Sequence, residues 1–421
     1  MKVLLRAATI YNPASAFHMQ QHNVLLENGT ITYIGQDEQK ADTEVALEGL
    51  CISVGWIDMH AYTGEPGLEY KEDLESLSAA AAAGGFTEVL CLPNTDPVVQ
   101  TKSAISYIKN RSQHYPVTLL PAGAVTVEAQ GKDLTEMIDL HEAGAVAFSD
   151  GIHPLQGADV TLKALQYMQM FDGLLMNKPE HTRLTENGQM HEGEASTRLG
   201  MRGIPSLAEE VMVTRDLQLL AYTGGKLHFS LISTAAAIEA IRIAKAQGLQ
   251  VTCDVASYQI AFTDETVAPF DTDYKVAPPF RSASDAEAIK EGLQDGTIDV
   301  LVSAHTPQDV EGKKLEYDLA EFGITNLETA FAVANSTMEL PLDVLLEKFT
   351  TNPRRILGLA QPKIAIGEPA NITLFNPAAT WVPDKNKTKS KSHNSPFYGQ
   401  ELKGRVLGIF HKGQLVLNQS F

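Results

Sequence analysis

The chain has 421 residues, with 33 Lys and Arg against 52 Asp and Glu, a formal charge of −19 with histidine neutral. Its 44% hydrophobic and 20% charged residues give the balance of a large globular chain, and the acidic excess excludes nucleic acid and an anionic membrane surface as expected partners. Three scattered cysteines (Cys51, Cys91 and Cys253) make neither a disulfide framework nor a CxxC zinc knot, so a reducing cytoplasm is the expected compartment.

The opening segment, MKVLLRAATIYNPAS, breaks its apolar run at Arg6 and does not read as a signal peptide. No stretch approaches the roughly 18 apolar residues of a membrane span, so no membrane association is expected. Residues 24–27, 30–34 and 43–47 read as short strands around an Asn28-Gly29 hairpin turn. Then a pattern begins. Apolar runs at 54–60, 87–93, 117–123, 145–150, 173–177, 226–232, 250–256 and 299–305 suit strands buried on both faces. Amphipathic stretches at 71–83, 101–111, 133–141, 161–170, 207–223, 234–247, 282–293 and 327–336 predict a helix after each strand or close to it. Tandem strand–helix units of this number read as a (β/α)8 TIM-type barrel over 54–360. Beyond it, 371–375, 405–410 and 414–417 return to strand character. Neither end has strands enough for its own core, so 1–53 and 361–421 are expected to pair as one small β-sandwich-like domain. The basic run at 385–391 reads as a solvated loop, the Arg354-Arg355 pair as exposed charge at a helix start.

Barrel enzymes carry their chemistry at the C-terminal strand ends. Strand one ends in Asp58-Met59-His60-Ala61-Tyr62, followed by Glu65-Pro66-Gly67; strand two leads into Pro93-Asn94-Thr95. Strand four ends in Ser149-Asp150-Gly151, strand five in Asn177-Lys178-Pro179, and strand six runs into Leu231-Ile232-Ser233-Thr234. Tyr274-Lys275-Val276-Ala277-Pro278-Pro279 follows strand seven, and strand eight ends in Ala304-His305-Thr306-Pro307-Gln308. Together with Asn394-Ser395-Pro396-Phe397, this chain resembles the dihydroorotases of the amidohydrolase superfamily, in their larger bacterial type-I branch, along its whole length. The resemblance implies reversible closure of carbamoyl-aspartate to dihydroorotate in pyrimidine synthesis, with zinc-activated hydroxide and a strand-eight aspartate that shuttles the proton.

The family's ligand pattern is where the chain departs. His-x-His at strand one is His60 and Tyr62, the second strand-four aspartate is Gly151, and the strand-five His-Cys-Glu falls on Asn177-Lys178-Pro179. The strand-six histidine is Leu231 and the strand-eight aspartate is Ala304. Of the six expected places only His60 keeps its group. Gly64 stands where the family has a substrate-gripping arginine and Ala277 where it has an asparagine, while Asn94 remains. One imidazole does not hold zinc against water, so no cofactor is expected.

The expected vestigial pocket therefore comprises His60, Tyr62, Asn94, Gly151, Asn177, Leu231, Ala304 and His305, with no catalytic or metal residue. His60 is expected to be a hydrogen-bonded strand-end histidine, Asp58 a packing or supporting group, His305 a buried hydrogen-bonded group, and Tyr62 to fill the vacated hollow with its ring. Asn94 and Asn177 either hold a small polar ligand or satisfy loop backbone. The resemblance implies a non-catalytic assembly or regulatory subunit for aspartate transcarbamoylase, itself a homo-oligomer. The alternative is an active cyclic-amide hydrolase working metal-free or through a displaced site built from His60, Asp150, His153, His181 and His305. A third expectation is a sensor that binds a pyrimidine intermediate without turning it over.

Overall fold

The computed structural model describes residues 2–418; Met1 and residues 419–421, assigned to the small domain, lie outside the described residues. Eight parallel strands form the barrel: Trp56–Ala61, Phe86–Cys91, Thr118–Gly123, Ala147–Phe148, Leu174–Asn177, Lys226–Phe229, Val251–Ala256 and Val300–Val302. Each hydrogen-bonds to its sequence neighbour, and a parallel bridge between Ala61 and His305 brings the last strand back to the first. Below the mouth, the Asp58 carboxylate accepts from the Ser303 backbone N–H (2.6 Å) and hydroxyl (2.7 Å), a second clasp across the same seam.

Side-chain alternation sorts these strands into two layers. Ile57, Leu90, Ala122, Ala147, Met176 and Val302 face inward and fill the lumen. Trp56, Val89, Leu119, Phe148, Leu175 and Leu301 face the surrounding helices. Helix starts are set by hydroxyl and carboxylate caps: Asp73 before Leu74–Ala83, Thr101 before Lys102–Arg111, Thr234 before Ala235–Ala246 and Ser282 before Ala283–Asp295.

Both ends of the chain join one sheet. Gln414–Leu417, Leu402–His411 and Ile372–Trp381 pair antiparallel, Ile372–Trp381 pairs with Cys51–Val54, and the order continues through Lys2–Tyr11, Gln21–Glu27 and Thr30–Gly35. Cys51–Val54 leads almost directly into the first barrel strand, so the junction is short and buried. The Trp56 ring packs there against Phe331, Phe349 and Phe375, at centroid distances of 4.7, 5.8 and 5.5 Å, and its indole N–H donates to Ser53 Oγ.

One segment lies outside the expected units, and two expectations need correction. Residues 178–206 are an excursion after strand five, with helices Thr182–Thr185 and Glu194–Leu199 and a two-stranded pair of Met190–His191 with Gly203–Ile204. The run at 385–391 is not wholly solvated. Its lysines alternate with small residues that turn inward: Thr388 Oγ1 donates to Glu328, and Ser390 Oγ and the Lys391 N–H donate to the buried Glu72. Arg354 is likewise not exposed. It is buried, ion-paired to Glu88 at 2.8 Å and donating to the Gly55 carbonyl, whereas Arg355 stays outside. Arg354→Ala strands the Glu88 carboxylate, so chemical denaturation is expected to show a loss of about 3 kcal/mol, and Glu88→Gln in the same chain should restore part of it.

Candidate functional site at the barrel mouth

The end of strand one places His60 inside the barrel, almost fully buried, with neither ring nitrogen given a hydrogen-bond partner among the described residues. The expected hydrogen bond is therefore missing. Burial lowers the His60 pKa to about 4 and holds the imidazole neutral, with Asp254 opposing the shift and Lys178 adding to it. Tyr62 sets its ring edge-on to His60, with centroids 5.5 Å apart. Asp58, two residues earlier, is spent on the seam with Ser303, and burial raises its pKa to about 7.

Strand four shows why a glycine replaces a carboxylate. Gly151 has φ +61°, and a β-carbon there would lie 1.7 Å from Asn94 Oδ1. Asn94 occupies that space to serve the loop: its amide donates to the Asp150 carbonyl (3.0 Å) and accepts from the Ile152 N–H (3.2 Å). The loop-backbone reading of Asn94 is thus the one its contacts match. The Asp150 carboxylate is consumed too, accepting from Val125 N–H, Thr126 N–H and the Thr126 hydroxyl.

On strand five the alternation runs Leu174, Met176, Lys178 inward and Leu175, Asn177 outward. Asn177 does not face the lumen; its amide donates to Asp216 on helix Leu207–Thr223 (2.8 Å) and accepts from Leu155 N–H. Lys178 is the chemically relevant residue, its ammonium 2.7 Å from Glu180 and close enough to oppose protonation of His60. The period-two signal was available in the sequence, since Asn177 and Lys178 necessarily lie on opposite faces.

Strands six and eight end in carbon. Leu231 (φ +56°) and Ala304 (φ +49°) both sit in left-handed backbone and share one buried cluster with Met59, Met176 and Tyr258. A branched residue in that region costs about 1–3 kcal/mol and persists only where neighbours impose it. Asp254, on strand seven, imposes it at Leu231: one oxygen accepts the Leu231 N–H (2.7 Å) while the other pairs with His228 Nε2 (2.9 Å). Neither Asp254 nor His228 was among the expected site residues. His305 turns away from the mouth, accepting the Asn326 N–H at Nδ1 and donating from Nε2 to Glu72 (3.2 Å).

A cavity of about 260 Å³ lies over strand ends five to seven, lined by Lys178, Glu180, Leu231, Ala277, Arg281 and Phe322 among others. Its charges are already matched: Lys178 to Glu180, and Arg281 to Ser233 and Glu209. A catalytic zinc site does not fit these residues. Among the described residues no group of three or more His, Cys, Asp or Glu is placed to hold a metal; His60 lies near the Lys178 ammonium, and the nearby Asp254 carboxylate is spent on His228 and the Leu231 N–H. His153, His181 and Asp150 make no displaced set with His60.

Two outcomes follow. The depressed His60 pKa means that unfolding takes up a proton between about pH 6.5 and 4, so stability is full above that window and lost as pH falls through it. His60→Leu is expected to remove about 2 kcal/mol of that acid-induced loss, read from urea unfolding at pH 7 and pH 4.5. Gly151→Ala is expected to destabilise by about 2 kcal/mol, and Asn94→Gly in the same chain to relieve the steric part.

A family model described as "Dihydro-orotase-like" matches residues 49–237. The protein named Dihydroorotase of Syntrophus aciditrophicus strain SB is 40% identical over 426 aligned residues, covering 100% of both chains. That of Pelotomaculum thermopropionicum is 40% identical over 99% of both. Among solved structures, the L-hydantoinase (dihydropyrimidinase) of Arthrobacter aurescens superposes with a TM-score of 0.85 at 22% identity, over 100% of this chain and 96% of that one. A D-hydantoinase crystal structure gives 0.83 at 18% identity, again over 100% and 96%. These structural likenesses establish the barrel-plus-sheet architecture, and the full-length sequence identity establishes more: the chain belongs to the dihydroorotase family.

Proposed function

We propose that this chain is a non-catalytic member of its family, serving pyrimidine synthesis as an assembly or regulatory subunit of aspartate transcarbamoylase. The observation that carries the reading is the composition of the lumen at the strand ends. Leu231, Ala304 and Gly151 offer no donor atom, His60 is a neutral base without a hydrogen-bond partner among the described residues, the nearby Asp254 is spent on His228 and the Leu231 N–H, and Lys178 brings positive charge where a dication would need negative ligands. Without a metal or an equivalent group, water in such a site keeps its ordinary pKa and is a poor nucleophile at neutral pH. The rest of the architecture is retained, as a chain selected for its surfaces requires.

A second reading, an active cyclic-amide hydrolase with a metal-free or displaced site, is favoured by the full-length relatives named Dihydroorotase. Two measurements separate the readings. Equilibrium dialysis against zinc and manganese is expected to show less than about 0.1 metal per chain, and turnover of dihydroorotate, hydantoin and dihydrouracil to stay at the uncatalysed rate. Co-expression with the transcarbamoylase catalytic chain of the same genome is expected to yield a co-purifying complex. Stoichiometric metal with turnover abolished by His60→Ala would establish the second reading instead.

A further inference from the structure

The mouth-side loops after strands seven and eight carry a surface that the barrel itself does not use. Phe270 (43% exposed), Val310 (58%), Leu315 (45%) and Leu319 (64%) stand in solvent on two loops that touch through the Phe270–Tyr317 ring contact, centroids 6.1 Å apart. Phe270 is held at φ +58°, a conformation that costs a bulky residue about 1–3 kcal/mol and that burial does not reward here.

The two loops are locked to each other from beneath by buried ammonium groups. Lys275 Nζ donates to the Tyr317 and Asp318 carbonyls (2.6 and 3.2 Å) and lies over the Phe322 ring. Lys313 Nζ donates to the carbonyls of Thr272, Glu321 and Gly323 (2.6, 2.9 and 3.1 Å). Each lysine reaches from one loop to the other, so the exposed apolar side chains are presented on a rigid base, and rigidity lowers the ordering cost of binding. Around them Asp271, Glu311, Glu316, Asp318 and Glu321 are exposed or rim-facing, with Lys314 the exposed cation among residues 310–321.

We infer that this acid-rimmed apolar patch is a docking surface for a protein partner with a basic rim around an apolar centre. A second copy of the chain would bring the same acidic rim against itself, so charge complementarity selects a different protein. The inference deepens the assembly reading above by placing its interface, and it rests on that reading only for the identity of the partner.

The test has two arms, each using the full chain, with a Phe270→Ser, Leu319→Glu variant and a Tyr222→Ser control far from these loops. In the first, calorimetry follows a helical peptide of lysine and leucine with its leucines on one face. Wild type and control are expected to bind it, with the double variant and added salt each weakening binding by about tenfold, and a glutamate–leucine peptide is expected not to bind. Equal binding by the double variant, or none by wild type, overturns the surface. In the second arm the transcarbamoylase catalytic chain replaces the peptide. A complex with wild type and control but not the double variant supports the placement, and a complex indifferent to the double variant overturns it. Absence of any complex overturns the assembly reading while the peptide arm still decides the surface.

Discussion

Charge inside a closed barrel has nowhere to hide from desolvation, and the charged groups near the strand ends of this chain are arranged around that constraint. Burying an ion costs several kcal/mol unless a counter-charge or a set of hydrogen bonds meets it. Asp254 is therefore shared between His228 and the Leu231 backbone, Lys178 is matched by Glu180, and Glu209 receives the Ser233 and Thr234 donors. Asp150 is saturated by the loop backbone that follows strand three and by the Thr126 hydroxyl. His60, given no partner, answers the same constraint by staying neutral.

A metal site reverses the usual rule, since its ligands are left unpaired by protein so that a cation can pair them. Here His60 has no hydrogen-bond partner among the described residues, whereas Asp254, Lys178 and Asp150 are paired within the protein and Leu231 and Ala304 present carbon. Leu231 and Ala304 sit in left-handed backbone, and Asp254 anchors the first of them.

The seam between the first and last strands shows how support travels outward from the mouth. Asp58 clasps Ser303; His305 hands its proton side to Glu72; Glu72 then receives the Ser390 hydroxyl and the Lys391 N–H from the C-terminal segment. A chain segment more than 300 residues distant in sequence from Glu72 is tied to the barrel by the same buried carboxylate that fixes His305. The small domain is thus joined to the barrel by this strap and the Trp56 aromatic cluster, besides bonds such as Thr373 Oγ1 to the Gly85 carbonyl and Asn418 to the Ala83 carbonyl.

The periodic apolar runs were sufficient for the barrel, because a strand buried on both faces between amphipathic helices has few other solutions, and the absence of donor side chains at 151, 231 and 304 is visible in residue identity alone. Direction was harder. Asn177 was legible as an outward residue from strand alternation, yet motif matching placed it in the pocket and hid Lys178 beside it. No local pattern could show that Asn94 fills the space above Gly151, that Arg354 lies buried against Glu88, or that Thr388 and Ser390 turn inward from a run of lysines. Those facts depend on pairs far apart in the chain, and which polar groups must meet is decided only when closure of the barrel takes water away from them.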